Sequence, residues 1–201
     1  MSLAARMVVV LTAVGLLSGA FLTTVGLLTK ERIALNKKLE IERAIISVVP
    51  GALASRLIHE EKDLAVYGGF DESGRLAGYA VYTSGVGFQD KIVLMLGLDA
   101  ALARISSLTV LEQKETPGLG AKITDGDSFL ACWEGKDFGG PLRLRKPPAE
   151  SPAGLSTSEV NTITGATISS QAVVDIVNAA RERVIKLSES GKLAAGGENA
   201  R

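Results

Sequence analysis

The sequence predicts an α+β protein: an N-terminal transmembrane helix followed by an extramembrane domain with an antiparallel sheet and packed helices. Three observations support this prediction. Residues 7–28 form an uncharged, mostly apolar run. Short strand-like runs separated by turn residues fill the middle of the chain, and residues 169–187 have the apolar spacing of an amphipathic helix. Strands that precede a helix as a group, instead of alternating with helices, are typical of α+β folds.

The uncharged run of residues 7–28 has the length of a membrane span. At about 1.5 Å per residue its helix would reach about 33 Å, and a hydrocarbon core is about 30 Å thick. A cleaved signal peptide is the alternative, with the small residues 18–20 as its cleavage site. Because the run stays apolar beyond that site, we expect a retained anchor over residues 1–29.

A helical stalk is expected to follow the anchor over residues 30–50. Apolar residues recur there at near-helical spacing, and Pro50-Gly51 stops the pattern. The stalk also carries more basic residues close to the span than the segment before it, where only Arg6 is found. Taken alone, the positive-inside rule would place the C-terminal part of the chain in the cytoplasm. The basic residues are Lys30, Arg32, Lys37 and Lys38.

Residues 51–190 are expected to form one globular domain, and residues 191–201 a flexible tail. A hairpin turn at residues 71–74 joins the first two predicted strands. A short helix is predicted at Asp127–Trp133, and the long amphipathic helix ends the domain. The predicted strands cover residues 64–70, 76–83, 91–98, 105–112 and 141–146.

Composition excludes several classes of function. The 22 basic residues balance the 22 acidic ones and aromatics are 4%, so neither charge nor stacking indicates a nucleic-acid partner. One histidine, His59, and one cysteine, Cys132, are too few for a usual metal centre, iron–sulfur cluster or histidine-based triad. Catalytic and metal-ligating residues are therefore not predicted, and redox or group-transfer chemistry requires a bound cofactor.

The segment with the strongest chemical signal is NTITGATISS, residues 161–170, immediately before the long helix. Gly165 allows a sharp turn and Ala166 keeps the approach uncrowded. Amides from about Thr167 onward lack intrahelical partners and, with the helix dipole, suit a phosphate. The alternative is that Thr167 or Ser169 is only the N-cap of the helix. Hydroxyl groups surround the predicted anion site at Thr164, Thr167, Ser169 and Ser170.

Two blocks of sequence resemble the FMN-binding domain family. Thr164 to Thr167, TGAT, is similar to the family's Ser/Thr-Gly-Ala-Thr flavinylation motif. Glu115 to Gly120, ETPGLG, resembles the family's loop that lies against the flavin ring, although such a run alone could be an ordinary glycine-containing turn. The two blocks occur in the family's order, about fifty residues apart. Gly85-Val86-Gly87-Phe88 fits a third, less specific loop near the site.

This resemblance implies one cofactor, FMN, joined to Thr167 by a phosphoester bond. A flavin transferase that uses FAD would install it. One mild departure is Asn161, which stands where many relatives have aspartate and which bears on recognition by that transferase. The cofactor-binding residues implied are Thr164, Gly165, Ala166, Thr167, Ser169, Glu115, Thr116, Gly118, Leu119 and Gly120.

The anchor, the length and both blocks together resemble the G subunit of the Rnf ion-translocating electron-transport complexes. The C subunit of the sodium-pumping NADH:quinone reductase shares the domain. The resemblance implies a non-catalytic redox subunit that relays electrons between ferredoxin and NAD within a complex of membrane and iron–sulfur subunits. It also implies an inner-membrane protein whose FMN domain lies on the periplasmic, or exoplasmic, side. This is the opposite of the side that the positive-inside rule predicts from the basic residues. The alternatives are a membrane-anchored FMN-binding sensor or assembly module, the C subunit of a sodium-pumping NADH:quinone reductase, and a stand-alone flavoenzyme.

Overall fold

The computed structural model describes residues 2–151 and 154–193. The chain divides into two compact units, one up to Ile41 and one from Glu42 onward. The predicted flexible tail, residues 191–201, lies outside the described residues from residue 194 onward.

One continuous helix, α1, covers Leu3–Val48 and so includes both the predicted anchor and most of the predicted stalk. Its length and composition are sufficient to cross a membrane. The C-terminal end of α1 belongs to the second unit, where Ile45 and Val48 are buried. Gly51, with a φ of +82°, follows the helix and supplies the left-handed conformation that commonly ends one.

Five antiparallel strands form a meander in chain order, and four of them were predicted. The strand missed is β1, an edge strand with mostly polar and partly exposed side chains, so it lacks a buried alternating pattern. The predicted turn at residues 71–74 is present, with Asp71 Oδ1 accepting hydrogen bonds from the amides of Ser73 and Arg75. The strands are β1 Ala54–Glu61, β2 Leu64–Phe70, β3 Leu76–Val86, β4 Lys91–Asp99 and β5 Ile105–Glu112.

The short helix predicted at Asp127–Trp133 is present only in part, as a 3-10 helix over Leu130–Trp133. Another 3-10 helix, Gly120–Thr124, precedes it. The amides of Leu130 and Ala131 donate to carbonyls five residues earlier, and the amide of Cys132 donates to Phe129 O, three residues earlier, so the four-residue spacing of a regular α-helix is not maintained. Further along, β6 Arg143–Arg145 pairs in parallel with β7 Glu159–Asn161. Strand β6 falls within the predicted 141–146, whereas β7, only three residues long, was not predicted.

The long helix, α2, covers Thr167–Glu189 and begins two residues earlier than predicted. Its apolar face is buried in the core together with β3 and β4. Gly85 of β3 permits this packing, because a Cβ at that position would come within 2.5 Å of Ile176 Cγ1. The end of β3 therefore lies close to the first turns of α2, and this arrangement places the functional site.

Candidate functional site

The first wall of the site is the turn that follows β5. The carbonyl of Thr116 accepts a hydrogen bond from Leu119 N at 3.1 Å, and Gly118 has a φ of +75°. Proline at the second position of a turn and a positive-φ glycine at the third are typical of a type II turn. A 3-10 helix begins at Gly120, so the sequence Thr-Pro-Gly-Leu makes a compact corner.

The second wall is the N-terminus of α2. Gly165 has a φ of +83°, Ala166 is the N-cap, and no side chain caps the helix. The amide of Ser170 donates to Ala166 O at 2.9 Å, so the amides of residues 167–169 precede the helical ladder and face out of its end. These amides and the helix dipole favour an anion. Thr167 is the first helical residue, so the alternative that Thr167 or Ser169 is the N-cap is wrong.

These two walls and the β3–β4 turn enclose a cavity of about 340 Å³. The structure therefore brings both sequence blocks into one site. Apolar side chains stand exposed around it: Phe88, Leu119 and Ile168 are 59%, 47% and 60% exposed. The cavity is lined by Phe88, Glu115, Thr116, Leu119, Gly120, Gly165, Ala166, Thr167, Ile168 and Ser169.

The carboxylate of Glu115 is buried at this cavity and bonded within the protein. Its side chain belongs to a residue only 4% exposed. Glu115 Oε1 accepts from the amides of Phe88 at 2.8 Å and Gln89 at 3.0 Å. Glu115 Oε2 accepts from the hydroxyl of Ser169 at 2.6 Å. Glu115 and Ser169, both predicted from the sequence to bind the cofactor, are thus hydrogen-bonded to each other across the site.

A second cavity of about 550 Å³ also reaches Thr167. The Gly85-Val86-Gly87 loop and the first turns of α2 form its walls, which agrees with the expectation that this loop lies near the site. Lys146 supplies a cationic side chain there, while Gln171 and Asp175 supply polar atoms from α2. Thr167 is therefore accessible from both cavities.

Two of the predicted site residues do not line the cavity that Glu115 and Thr167 share. Thr164 is exposed and lines a separate cavity of about 300 Å³ with Lys122 and Asp125. Gly118 shapes the type II turn through its backbone and is not part of the lining. The remaining eight predicted residues all line it.

Asn161 has a structural role that explains an amide at this position. Its Oδ1 accepts from Ala149 N at 2.7 Å, and its Nδ2 donates to Ala149 O at 2.9 Å. An ionised aspartate could accept from the amide but could not donate to the carbonyl. Asparagine therefore satisfies both backbone groups of Ala149.

Sequence reasoning missed two residues that line the cavity and one that hydrogen-bonds to its wall. Ile168 lies exposed in the first turn of α2, where the apolar pattern of the helix gives no reason for it. Phe88 is predicted only as part of a glycine loop, and its role becomes visible in the structure, where it lines the same cavity as the exposed Leu119 and Ile168. Gln89 was not considered, and its Nε2 donates to Thr116 Oγ1 at 2.8 Å.

An ion pair braces the turn that carries Phe88. Lys114 Nζ lies 3.0 Å from Asp90 Oδ2. The pKa of Asp90 is lowered, first by the backbone hydrogen bond from Lys91 and then by Lys114. The pKa of Lys114 is raised, chiefly by its hydrogen bond to Asp90. Both groups therefore stay charged near neutral pH, although an exposed pair contributes little to stability.

The residues present fit FMN. The uncapped start of α2 offers amides to a phosphate, and the side chain of Lys146 lies in an adjoining cavity. The apolar side chains of Phe88, Leu119 and Ile168 offer surface to a flat ring. The cavity volume lies within the usual range for ligand sites, about 300–1,000 Å³.

Comparison with known proteins gives one family match. Residues 87–182 match the FMN-binding domain. The chain is 37% identical over 118 residues to the G subunit of the ion-translocating oxidoreductase complex of Methanosarcina acetivorans, which covers 59% of this chain and 57% of that protein. It is 30% identical over 119 residues to the G subunit of the Na⁺-translocating ferredoxin:NAD⁺ oxidoreductase complex of Acetobacterium woodii. That match covers 59% of this chain and 54% of the relative.

The matched region thus spans little more than half the length of these two relatives. Among solved structures, NqrC of Shewanella oneidensis shares the fold with a TM-score of 0.53 and 23% identity, covering 68% of this chain and 72% of that one. The family match includes the ETPGLG turn and TGAT, which line the same cavity. Residues 87–182 of this chain are therefore similar in sequence to the FMN-binding domain.

Proposed function

We propose that this chain is the electron-transfer subunit of a membrane-bound, ion-translocating ferredoxin:NAD oxidoreductase, with FMN joined to Thr167. The observation that carries the proposal is the position of Thr167. Its hydroxyl belongs to the first residue of an uncapped helix, in the wall of a cavity that the ETPGLG turn also lines. The similarity to two G subunits, over 118 and 119 residues, supports the choice of complex.

Attachment needs a hydroxyl beside a phosphate-binding group, and Thr167 supplies it. In the proposed reaction a flavin transferase presents FAD, and the Oγ1 of Thr167 bonds to the phosphorus of the FMN half. AMP leaves, and the hydroxyl proton is taken up by a base of the transferase. The amides of residues 167–169 would stabilise the phosphate charge, as helix N-termini commonly do.

The other proposed site residues would hold the flavin ring and its chain. Thr116, Leu119 and Gly120 come from the ETPGLG turn. Gly165 and Ala166 would allow the flavin to approach the backbone closely at the start of α2. FMN accepts two electrons and passes them on singly, so the protein has only to hold and tune it. Thr164, on a separate cavity, would serve recognition of the motif instead of contacting the bound flavin. Other membrane and iron–sulfur subunits would be the electron donor and acceptor.

Flavin absorbance in native membranes tests this function. Addition of reduced ferredoxin should bleach the FMN of this chain, and subsequent addition of NAD should restore its absorbance. A flavin that stays oxidised while electrons flow through the complex would instead support a sensor or assembly module.

The FMN domain is proposed to lie on the exoplasmic side of the membrane, despite the basic residues after the span. An alkaline phosphatase fusion at the C-terminus should be active, because this enzyme requires an oxidising compartment for its disulfides. A cytoplasmic reporter at the same position should be silent. The reverse pattern would place the domain in the cytoplasm, as the positive-inside rule predicts.

Replacing Gly118 with valine should slow electron transfer while leaving FMN attached. The glycine has a φ of +75°, a conformation that strains a β-branched residue by about 1–3 kcal/mol. The turn beside the cavity would change shape, whereas the start of α2 would not. We expect a fluorescent band in denaturing gels and slower ferredoxin-driven NAD reduction. Gly126→Val is the matched control, since Gly126 has open space around it and no positive φ.

A further inference from the structure

We propose that Glu115 is a positioning residue that closes the flavin site by joining three separate segments of the chain. The inference rests on the proposed function, because it concerns how the walls of that site are held around FMN. It does not assign Glu115 a contact with the flavin. Its carboxylate acts on the flavin through the segments that it connects.

Two of the segments donate hydrogen bonds to the buried carboxylate, which belongs to the third. The β3–β4 turn donates two backbone amides, those of Phe88 and Gln89, to Oε1. Helix α2 donates the hydroxyl of Ser169 to Oε2 at 2.6 Å. The third segment is the ETPGLG turn, which carries Glu115 itself. Hydrogen bonds to a charged group are stronger than neutral ones, so this junction is expected to be rigid.

Two glycines show that the packing around this carboxylate is tight. A Cβ at Gly87 would collide with Glu115 Oε1 and the carbonyl of Asp90. A Cβ at Gly120 would lie 2.5 Å from Ser169 Oγ and 2.8 Å from Glu115 Oε2. Both glycines therefore leave room for the junction, one on each side of it.

The junction lies directly behind the groups proposed to hold FMN. Ser169 is two residues after Thr167 and in the same helical turn, so its bond fixes the helix start relative to the turn. Phe88 presents its amide to Glu115 and its ring to the cavity. Without the carboxylate, the start of α2 would lose its hydrogen bond to the ETPGLG turn, and the β3–β4 turn would keep only the Gln89–Thr116 hydrogen bond and the Lys114–Asp90 ion pair. An attached flavin would then lose its defined position.

A graded set of variants in the full-length chain tests this proposal. Glu115→Ala removes all three bonds, Ser169→Ala removes the bond to the helix, and Glu115→Gln keeps the shape and the acceptor for the two amides. Ser106→Ala is the matched control: Ser106 Oγ donates to Val48 O at 2.7 Å, and neither residue lines the site cavities. Each variant is produced with and without the flavin transferase.

The first readout is fluorescence anisotropy of the attached FMN. We expect anisotropy to fall most in Glu115→Ala and less in Ser169→Ala, with Glu115→Gln close to the parent and Ser106→Ala unchanged. The gel signal of attached flavin should persist in all four. Parent-like anisotropy in a folded Glu115→Ala chain, or an equal fall in Ser106→Ala, would overturn the proposal. If Glu115→Ala does not fold, parent-like anisotropy in Ser169→Ala is sufficient to overturn it.

The second readout is hydrogen exchange in the chain made without transferase. The amides of Phe88 and Gln89 should exchange at least about fivefold faster in Glu115→Ala than in the parent, since losing one buried hydrogen bond costs about 1 kcal/mol. Unchanged exchange would contradict the junction even if no flavin were ever bound. The parent chain could take up no FMN while the two amides still exchange faster in Glu115→Ala. That result would refute the proposed function and leave the junction standing.

Discussion

Thr167→Ala is expected to abolish the flavin fluorescence of the denatured chain when the protein is made together with a flavin transferase. The change removes the only atom of residue 167 that can form the phosphoester. It should leave the fold intact, because the N-cap is Ala166 and no capping hydrogen bond is lost. Alanine is also a better helix former than threonine, by up to about 0.7 kcal/mol. Loss of fluorescence with an unchanged melting temperature is therefore the predicted result.

Thr164→Ala is the matched control for this experiment. It changes the other threonine of the same motif, but that side chain is exposed and lines a different cavity. Fluorescence should persist in Thr164→Ala, with at most a slower rate of attachment if the transferase reads this residue. If Thr164→Ala loses the flavin fluorescence and Thr167→Ala keeps it, the phosphoester is on Thr164 instead.

The second large effect is expected in the assembled complex. A complex that contains Thr167→Ala should form normally and remain in the membrane, because residue 167 is at the cavity and α1 is unchanged. Ferredoxin-driven NAD reduction should fall to the background of membranes without the complex. The reason is that the helix dipole alone favours a phosphate by only about 0.3–1 kcal/mol, too little to retain FMN without the bond.

Assembly and turnover have to be measured on the same preparation, together with its flavin content. Thr164→Ala again serves as the control and should support electron flow. An assembled Thr167→Ala complex that lacks this FMN and still reduces NAD at the parent rate would remove this chain from the electron path.

The sheet was predictable where its strands are buried and separated by turn residues. Strands β2 to β5 have apolar runs and clear breaks, so their bounds follow from the sequence within a few residues. The edge strand β1 mixes polar and apolar residues on both faces, and β7 is three residues long, so neither shows a regular alternation of apolar residues. The helix predicted at Asp127–Trp133 forms only as a 3-10 helix from Leu130, because the backbone hydrogen bonds there span five and three residues instead of four.

The site was predictable from its motifs, but the use of each side chain was not. Glu115 and Ser169 are polar residues in motifs that resemble a flavin site, so both were assigned to the cofactor. Their mutual hydrogen bond joins residues 54 positions apart, and no local pattern predicts such a partner. Thr164 and Thr167 stand three positions apart in one motif, yet the positive φ of Gly165 turns the chain between them and directs them to different cavities.

The position of the flavin bond is the central claim, and mass spectrometry of the parent chain tests it most directly. The chain is made with the transferase and its intact mass is compared with that of chain made without it. The difference should equal FMN less one water. Tryptic digestion should then place this mass on the peptide from Lys146 to Arg181, and fragmentation should assign it to Thr167. An unchanged intact mass, or an FMN ester on Thr164 or Ser169, would contradict the account.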